Sequence, residues 1–184
     1  MKTLESITVY CGAKLGNNSA YALAARELGN EIAKRSLRLI YGGGKIGLMG
    51  EVANSVLSSG GEVTGVIPHF LNDMEVKHTG LTECITVNNM HERKFLMYKN
   101  SDAFIILPGG FGTLDECMEI LTWKQLGLHN RPIVILDIEG CWKSLKDLLT
   151  DLATNEFANK DSINLFSIVN QVSDVFHAIE QMNN

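Results

Sequence analysis

Seven short apolar runs rich in β-branched residues punctuate the chain: ITVYC (7–11), LRLIY (37–41), EVTGVI (62–67), CITV (84–87), AFIIL (103–107), PIVIL (132–136) and FSIVN (166–170). Most carry apolar side chains at successive positions. That pattern fits strands covered on both faces rather than half-exposed antiparallel ones. Between them lie segments with apolar residues at helical spacing: SAYALAARELGNEIAKRS, LMGEVANSVLSS, MHERKFLMYKNS, TLDECMEILTWKQLG, WKSLKDLLTDLAT and SDVFHAIEQM. Alternation of buried strand and amphipathic helix predicts an α/β protein with right-handed crossovers. The expected architecture is a single Rossmann-like doubly wound domain over 1–184, its mostly parallel sheet carrying helices on both faces. Ligands of such a domain bind at the carboxyl ends of the strands. HFLNDMEVKHTGL (69–81) has weak periodicity. It reads as a loop or short helix over the strand ends, and is the segment expected to move when ligand binds.

Composition narrows the function. The 184 residues suffice for one domain with a substantial core, and 45% hydrophobic with 20% charged residues describes an ordinary globular chain. Sixteen Lys and Arg face 21 Asp and Glu, a formal charge of −5, so no overall field attracts DNA or RNA. A phosphate-bearing partner must be held by a local pocket. Cys11, Cys84, Cys117 and Cys141 form no Cys-x-x-Cys pair and have no histidine at a zinc-finger interval, so free, mostly buried thiols are expected. His69, His78, His91, His129 and His177 are scattered without metal spacing and read as surface or core residues. The N-terminus enters a strand-like pattern without the features of a signal peptide, and no apolar run approaches the roughly 18 residues that span a bilayer. A cytoplasmic protein that binds no membrane is the expectation.

Three turns carry candidate chemistry. In YGGGKIGLMG (41–50), Gly42, Gly44 and Gly47 formally satisfy G-x-G-x-x-G between strand and helix. The turn follows the second strand, not the first, and GVIPHF lacks the acidic residue that takes a ribose hydroxyl, which argues against a nicotinamide dinucleotide site. A tight turn that also approaches a ligand is the favoured reading. In LPGGFGTLDE (107–116), Thr113 and Glu116 match a capping box. Gly109, Gly110 and Gly112 exceed what a cap requires, and leave backbone amides uncovered at a helix start that attracts phosphate. Glu116, Ile120 and Trp123 fall at i, i+4 and i+7, so the carboxylate shares the apolar stripe. In NNMHERKFLM (88–97), Met90, Arg93 and Met97 share one face while Glu92 points elsewhere, and Lys94 adjoins. Arg93 is either an anion ligand or a snorkelling side chain. No Gly-x-Ser-x-Gly elbow occurs, so serine or cysteine nucleophiles are not favoured.

Together, YGGGKIGLMG, MHERK and PGGFGTLDE resemble the LONELY GUY (LOG) family, often mislabelled as lysine decarboxylases, whose signature is PGGxGTxxE preceded by M-x-x-R-K. The resemblance runs from CGA (11–13) through Thr122 and Trp123. It implies a Rossmann-like homodimer that hydrolyses the N-glycosidic bond of nucleoside 5′-monophosphates without cofactor or metal, releasing base and ribose 5-phosphate. Carried over residue by residue, it makes Arg93 and Glu116 the catalytic pair and Lys94 a substrate contact. Gly109, Gly110, Phe111, Gly112 and Thr113 become the phosphate turn with Asp115 beside it, while Glu75, Met90, Thr122, Gly43 and Gly44 are further substrate-binding positions. LMYKNS and MEILTW are the segments expected at a two-fold interface. One departure is visible: where the family has CGSS, this chain has Cys11-Gly12-Ala13-Lys14, without the two hydroxyls. A second class of function is a nucleotide or molybdenum-cofactor carrier without hydrolysis, which would have no need of Arg93 and Glu116 together.

Overall fold

The computed structural model describes residues 3–71 and 76–183. All seven expected strands form: β1 (Ser6–Tyr10), β2 (Arg38–Tyr41), β3 (Val63–Pro68), β4 (Glu83–Val87), β5 (Ala103–Ile106), β6 (Ile133–Leu136) and β7 (Ser167–Val169). Six α-helices alternate with them: α1 (Ser19–Lys34), α2 (Gly47–Ser58), α3 (Met90–Lys99), α4 (Phe111–Gln125), α5 (Lys143–Thr154) and α6 (Val175–Asn183). The strands make one sheet in the order β4-β3-β2-β1-β5-β6-β7, and every neighbouring pair is parallel. The order reverses between β1 and β5, so their carboxyl ends diverge into a crevice.

Alternation along each strand sends side chains to two cores. Ile7, Val9, Leu39, Val63, Ile105 and Val134 pack under α1, α2 and α6. Tyr10, Ile40, Val66, Phe104, Ile106 and Ile135 pack under α3, α4 and α5. Both faces are apolar because both are covered, which is why the strands read as continuous runs and not as alternating ones.

The weakly periodic stretch acquires its order from a neighbour. After a 3-10 turn at His69–Leu71 and beyond residue 75, Lys77 pairs with Gly44 in an antiparallel bridge. The Lys45 N–H donates to the Val76 carbonyl at 2.8 Å, and the His78 N–H to Gly43 at 3.0 Å. Residues 76–80 thus form a strap over the glycine turn. Two histidines are held by hydrogen bonds within the fold, His78 buried and His129 half-buried. His78 Nδ1 accepts from the Gly80 N–H and its Nε2 lies 3.0 Å from Asn54 Oδ1, while His129 Nε2 lies 3.0 Å from the Ile120 carbonyl. The four cysteines are free, and no helix among the described residues is long and apolar enough to cross a membrane.

Candidate active site

At the crevice, the turns after the two central strands are stitched together. Leu107 N–H donates to Tyr10 at 2.9 Å, and Gly12 N–H to Pro108 at 3.0 Å. Above this seam opens a cavity of about 620 Å³, within the range that holds a nucleotide-sized ligand. A cavity of about 680 Å³ lies at the opposite, amino ends of the strands, where Arg38 is already paired with Glu62 at 2.7 Å.

One wall is the start of α4. The helix begins at Phe111, two residues before Thr113, and Gly110 occupies the cap position with no side-chain hydrogen bond. The capping-box reading of Thr113 and Glu116 is therefore corrected: Thr113 is the third helical residue, only 3% exposed. A side chain at position 113 is turned inward, and a Cβ on Gly109 would come within 2.1 Å of its Oγ1. A side-chain cap is instead found on α3, where the N-cap Asn89 Oδ1 accepts from the Glu92 N–H at 2.9 Å and Glu92 Oε2 accepts from the N–H of Asn88, the residue before the cap, at 3.0 Å. Without a cap, the first-turn amides of α4 have no intrahelical acceptor and carry the positive end of the helix dipole. A Cβ added to Gly110 or Gly112 meets nothing within 4 Å, so an anion has room to approach these amides.

The same cavity carries two buried charges, Glu116 one turn into α4 and Arg93 on α3. Arg93 is 4% exposed and Glu116 8%, and both line the cavity together with Tyr10. Arg93 Nη2 donates to the Gly42 carbonyl at 3.0 Å. A Cβ at position 42 would lie 2.0 Å from that nitrogen, so the glycine makes room for the guanidinium. This alters the reading of the first glycine turn. Gly42 lines the cavity, but Gly43, at φ +81°, and Gly44 hold the strap and are not among the lining residues. Gly47, at φ +63°, presses on Ala13, which a Cβ would reach at 2.2 Å. Burial, then the Glu116 and Glu119 charges, push the Tyr10 phenol well above its ordinary pKa, opposed by Arg93. The phenol therefore sits in the field of both members of the pair and stays protonated.

Of the other expected residues, Met90, Gly109, Gly110, Gly112 and Thr113 line the cavity, whereas Lys94, Phe111, Asp115 and Thr122 do not. Lys94 is bound to Asp115 and Glu119 at 3.0 and 3.1 Å. Phe111 is 93% exposed at the helix start, and the Thr122 hydroxyl donates to Met118 within its own helix. Glu75 lies outside the described residues. The sequence reading missed Tyr10, Cys141 and Trp142, which also line the cavity. Trp142 follows the carboxyl end of β6, where the rule for parallel sheets would have placed it. Its buried indole N–H has no acceptor among the described residues. Burial raises the Cys117 and Cys141 thiols to about 12, so neither is a nucleophile near neutral pH. No group of three metal-ligating side chains occurs among the described residues.

A parallel sheet with an uncapped glycine-rich helix start at its switch point and a buried Arg and Glu in the same crevice defines a Rossmann-like domain equipped for an anionic ligand. Residues 49–179 match the family model described as "Possible lysine decarboxylase". The chain is 47% identical over 156 residues, 84% of its length and 79% of the relative's, to a cytokinin riboside 5′-monophosphate phosphoribohydrolase of Rhodococcoides fascians. It is also 47% identical over 152 residues, 83% of its length and 71% of the relative's, to the Arabidopsis thaliana enzyme of that name, LOG1. The chain belongs to this family, the LOG family. Among solved structures, the molybdenum cofactor binding protein of Rippkaea orientalis superposes with a TM-score of 0.77 over 100% of both chains at 19% identity. The molybdenum cofactor carrier protein of Chlamydomonas reinhardtii superposes at 0.75, over 98% of this chain and 99% of its own, at 21% identity. At such identities the likeness shows the fold alone.

Proposed function

We propose that the protein hydrolyses the N-glycosidic bond of AMP or an N6-substituted AMP such as a cytokinin nucleotide, releasing the free base and ribose 5-phosphate. The observation that carries this reading is the burial of Arg93 and Glu116 in one cavity beside the uncapped start of α4. The names of relatives at 47% identity support it.

The residues divide the work by chemistry. The free amides of the first turn of α4, with the Thr113 hydroxyl, bind the 5′-phosphate. As the bond from C1′ to the base nitrogen breaks, its electron pair leaves with the base and positive charge develops on the ribose. The Glu116 carboxylate stabilises that charge and accepts a proton from the water that attacks C1′; the departing base takes up one proton, which restores the carboxylate and leaves neutral base and ribose 5-phosphate. Arg93, anchored on the Gly42 carbonyl, brings a permanent positive charge to the same cavity wall as Glu116. The lysine decarboxylase description finds no counterpart here: Lys14, the lysine that lines the cavity, is exposed on a loop.

Incubation with AMP and with isopentenyladenosine monophosphate, followed by chromatography, tests the proposal. Free adenine or isopentenyladenine is expected, and Glu116→Gln should cut turnover by about 10²-fold or more with folding intact. Saturable AMP binding with no base released over hours would favour a carrier instead.

We also infer a cytoplasmic homodimer. Phe95, Leu126 and Leu128 are more than half exposed on the outer side of α3 and α4, around the Tyr98 and Trp123 edge-to-face pair at 4.7 Å. Tyr98 joins them, 6.4 Å from Phe95 and bonded to the Leu128 carbonyl. Such a patch favours a second copy of the chain.

A further inference from the structure

We propose that Lys94 is a positioning residue: its ammonium fixes α3 against α4 and so sets the spacing of Arg93 and Glu116, without touching the nucleotide. Its catalytic consequence rests on the hydrolase reading above.

The ammonium is already engaged. It lies 3.0 Å from Asp115 Oδ2 and 3.1 Å from Glu119 Oε1, both on α4, so two of its three protons are committed. Its side chain is 10% exposed and is not among those lining the cavity, although its neighbour Arg93 is. Burial is the largest influence on this group and pulls its pKa down, yet the two carboxylates more than offset it and the lysine stays charged.

Register gives the tie its meaning. Lys94 follows Arg93 in α3, and Asp115 precedes Glu116 in α4. The bridge therefore stands one residue from each member of the buried pair. Tyr98 and Trp123 make the aromatic tie between the same helices one turn further along, at the end away from the cavity. With the ammonium removed, that contact remains as a hinge while the site end is free to open. Asp115 and Glu119, four residues apart on one helix face, would then repel each other.

The test separates contact from positioning. Lys94→Met keeps the buried stem, Lys94→Arg can still bridge two carboxylates, and Asp115→Asn with Glu119→Gln removes the other half of the tie. AMP affinity is read by calorimetry in the Glu116→Gln background, and kcat and KM in the parent protein. Positioning predicts an AMP Kd within about threefold of the parent and a kcat lowered on the order of 10- to 100-fold in Lys94→Met. Lys94→Arg should recover part of it. The double carboxamide variant should show a similar loss, little deepened by adding Lys94→Met. A Kd weakened tenfold or more with kcat retained overturns the proposal and makes Lys94 a substrate contact. So does an unchanged kcat. If the parent binds AMP but releases no base, the hydrolase reading fails by itself, and the Kd comparison still decides whether Lys94 touches the nucleotide. Should Lys94→Met fail to fold, the arginine and carboxamide variants carry the same comparison.

Discussion

Gly42 serves an arginine 51 residues away in sequence, and Gly110 serves open space. The two glycines look alike in the sequence and respond differently to a methyl group. Gly42→Ala forces Cβ into the Arg93 guanidinium and should destabilise the fold by about 1–3 kcal/mol. That is a fall of roughly 2–4 °C per kcal/mol in thermal midpoint for a chain of this size, with turnover reduced as Arg93 is displaced. Gly110→Ala, at an extended φ of −102°, should leave the midpoint within about 2 °C of the parent and raise KM for AMP about tenfold or more, because the methyl occupies the phosphate approach. Melting curves and steady-state kinetics on the two variants check the contrast; equal effects on both would refute it. Sequence spacing flagged both glycine turns and the inward face of Glu116. It could not say that the first turn holds an arginine, because that partner arrives through the folded sheet.

At the level of elements, helix interiors were legible and helix starts less so. The pattern of apolar residues located all six helices, but Thr113 and Glu116 fit a capping motif that the chain does not use. The glycines at 109–112 let the backbone enter helical geometry two residues earlier, and burial of Thr113 removes its hydroxyl from the cap position. Nothing periodic marks the strap at 76–80, because its order comes from pairing with the glycine turn. His78 makes that strap sensitive to pH. Burial, and then the Lys45 charge, hold its pKa below the usual histidine value, so the folded protein keeps it neutral. The unfolded chain binds a proton near pH 6.5. The resulting stability is fully present above about pH 6.5 and is lost as pH falls toward the lower folded value. His129 acts in the same direction, lowered by burial, partly opposed by its Ile120 hydrogen bond, and lowered further by Arg131 and Lys124. The thermal midpoint should decline between about pH 7 and pH 5.5, and His78→Gln should flatten part of that decline. An unaltered slope in the variant would remove His78 as a source.

For the whole molecule, the alternation of apolar run and amphipathic helix was enough to give a parallel doubly wound sheet. Strand order was not written there: the reversal between β1 and β5 depends on which side of the sheet each helix crosses. The exposed Phe95, Leu126 and Leu128 patch likewise gave no periodic signal that could separate interface from core. Light scattering should report about twice the chain mass of 20.3 kDa, and Leu126→Glu with Phe95→Glu should shift the population toward monomer. A parent protein that is monomeric at working concentration would rule the dimer out. The cavity itself draws on segments from Val9 to Trp142, interleaved through β1, α2, α3, α4 and the turn after β6. No stretch of unfolded chain can reproduce that arrangement, so a cavity ligand discriminates between folded and unfolded states almost completely. Binding and folding are thus linked through mass action: a ligand at 100 times its Kd adds about 2.7 kcal/mol to the stability of the domain, whether or not it is turned over.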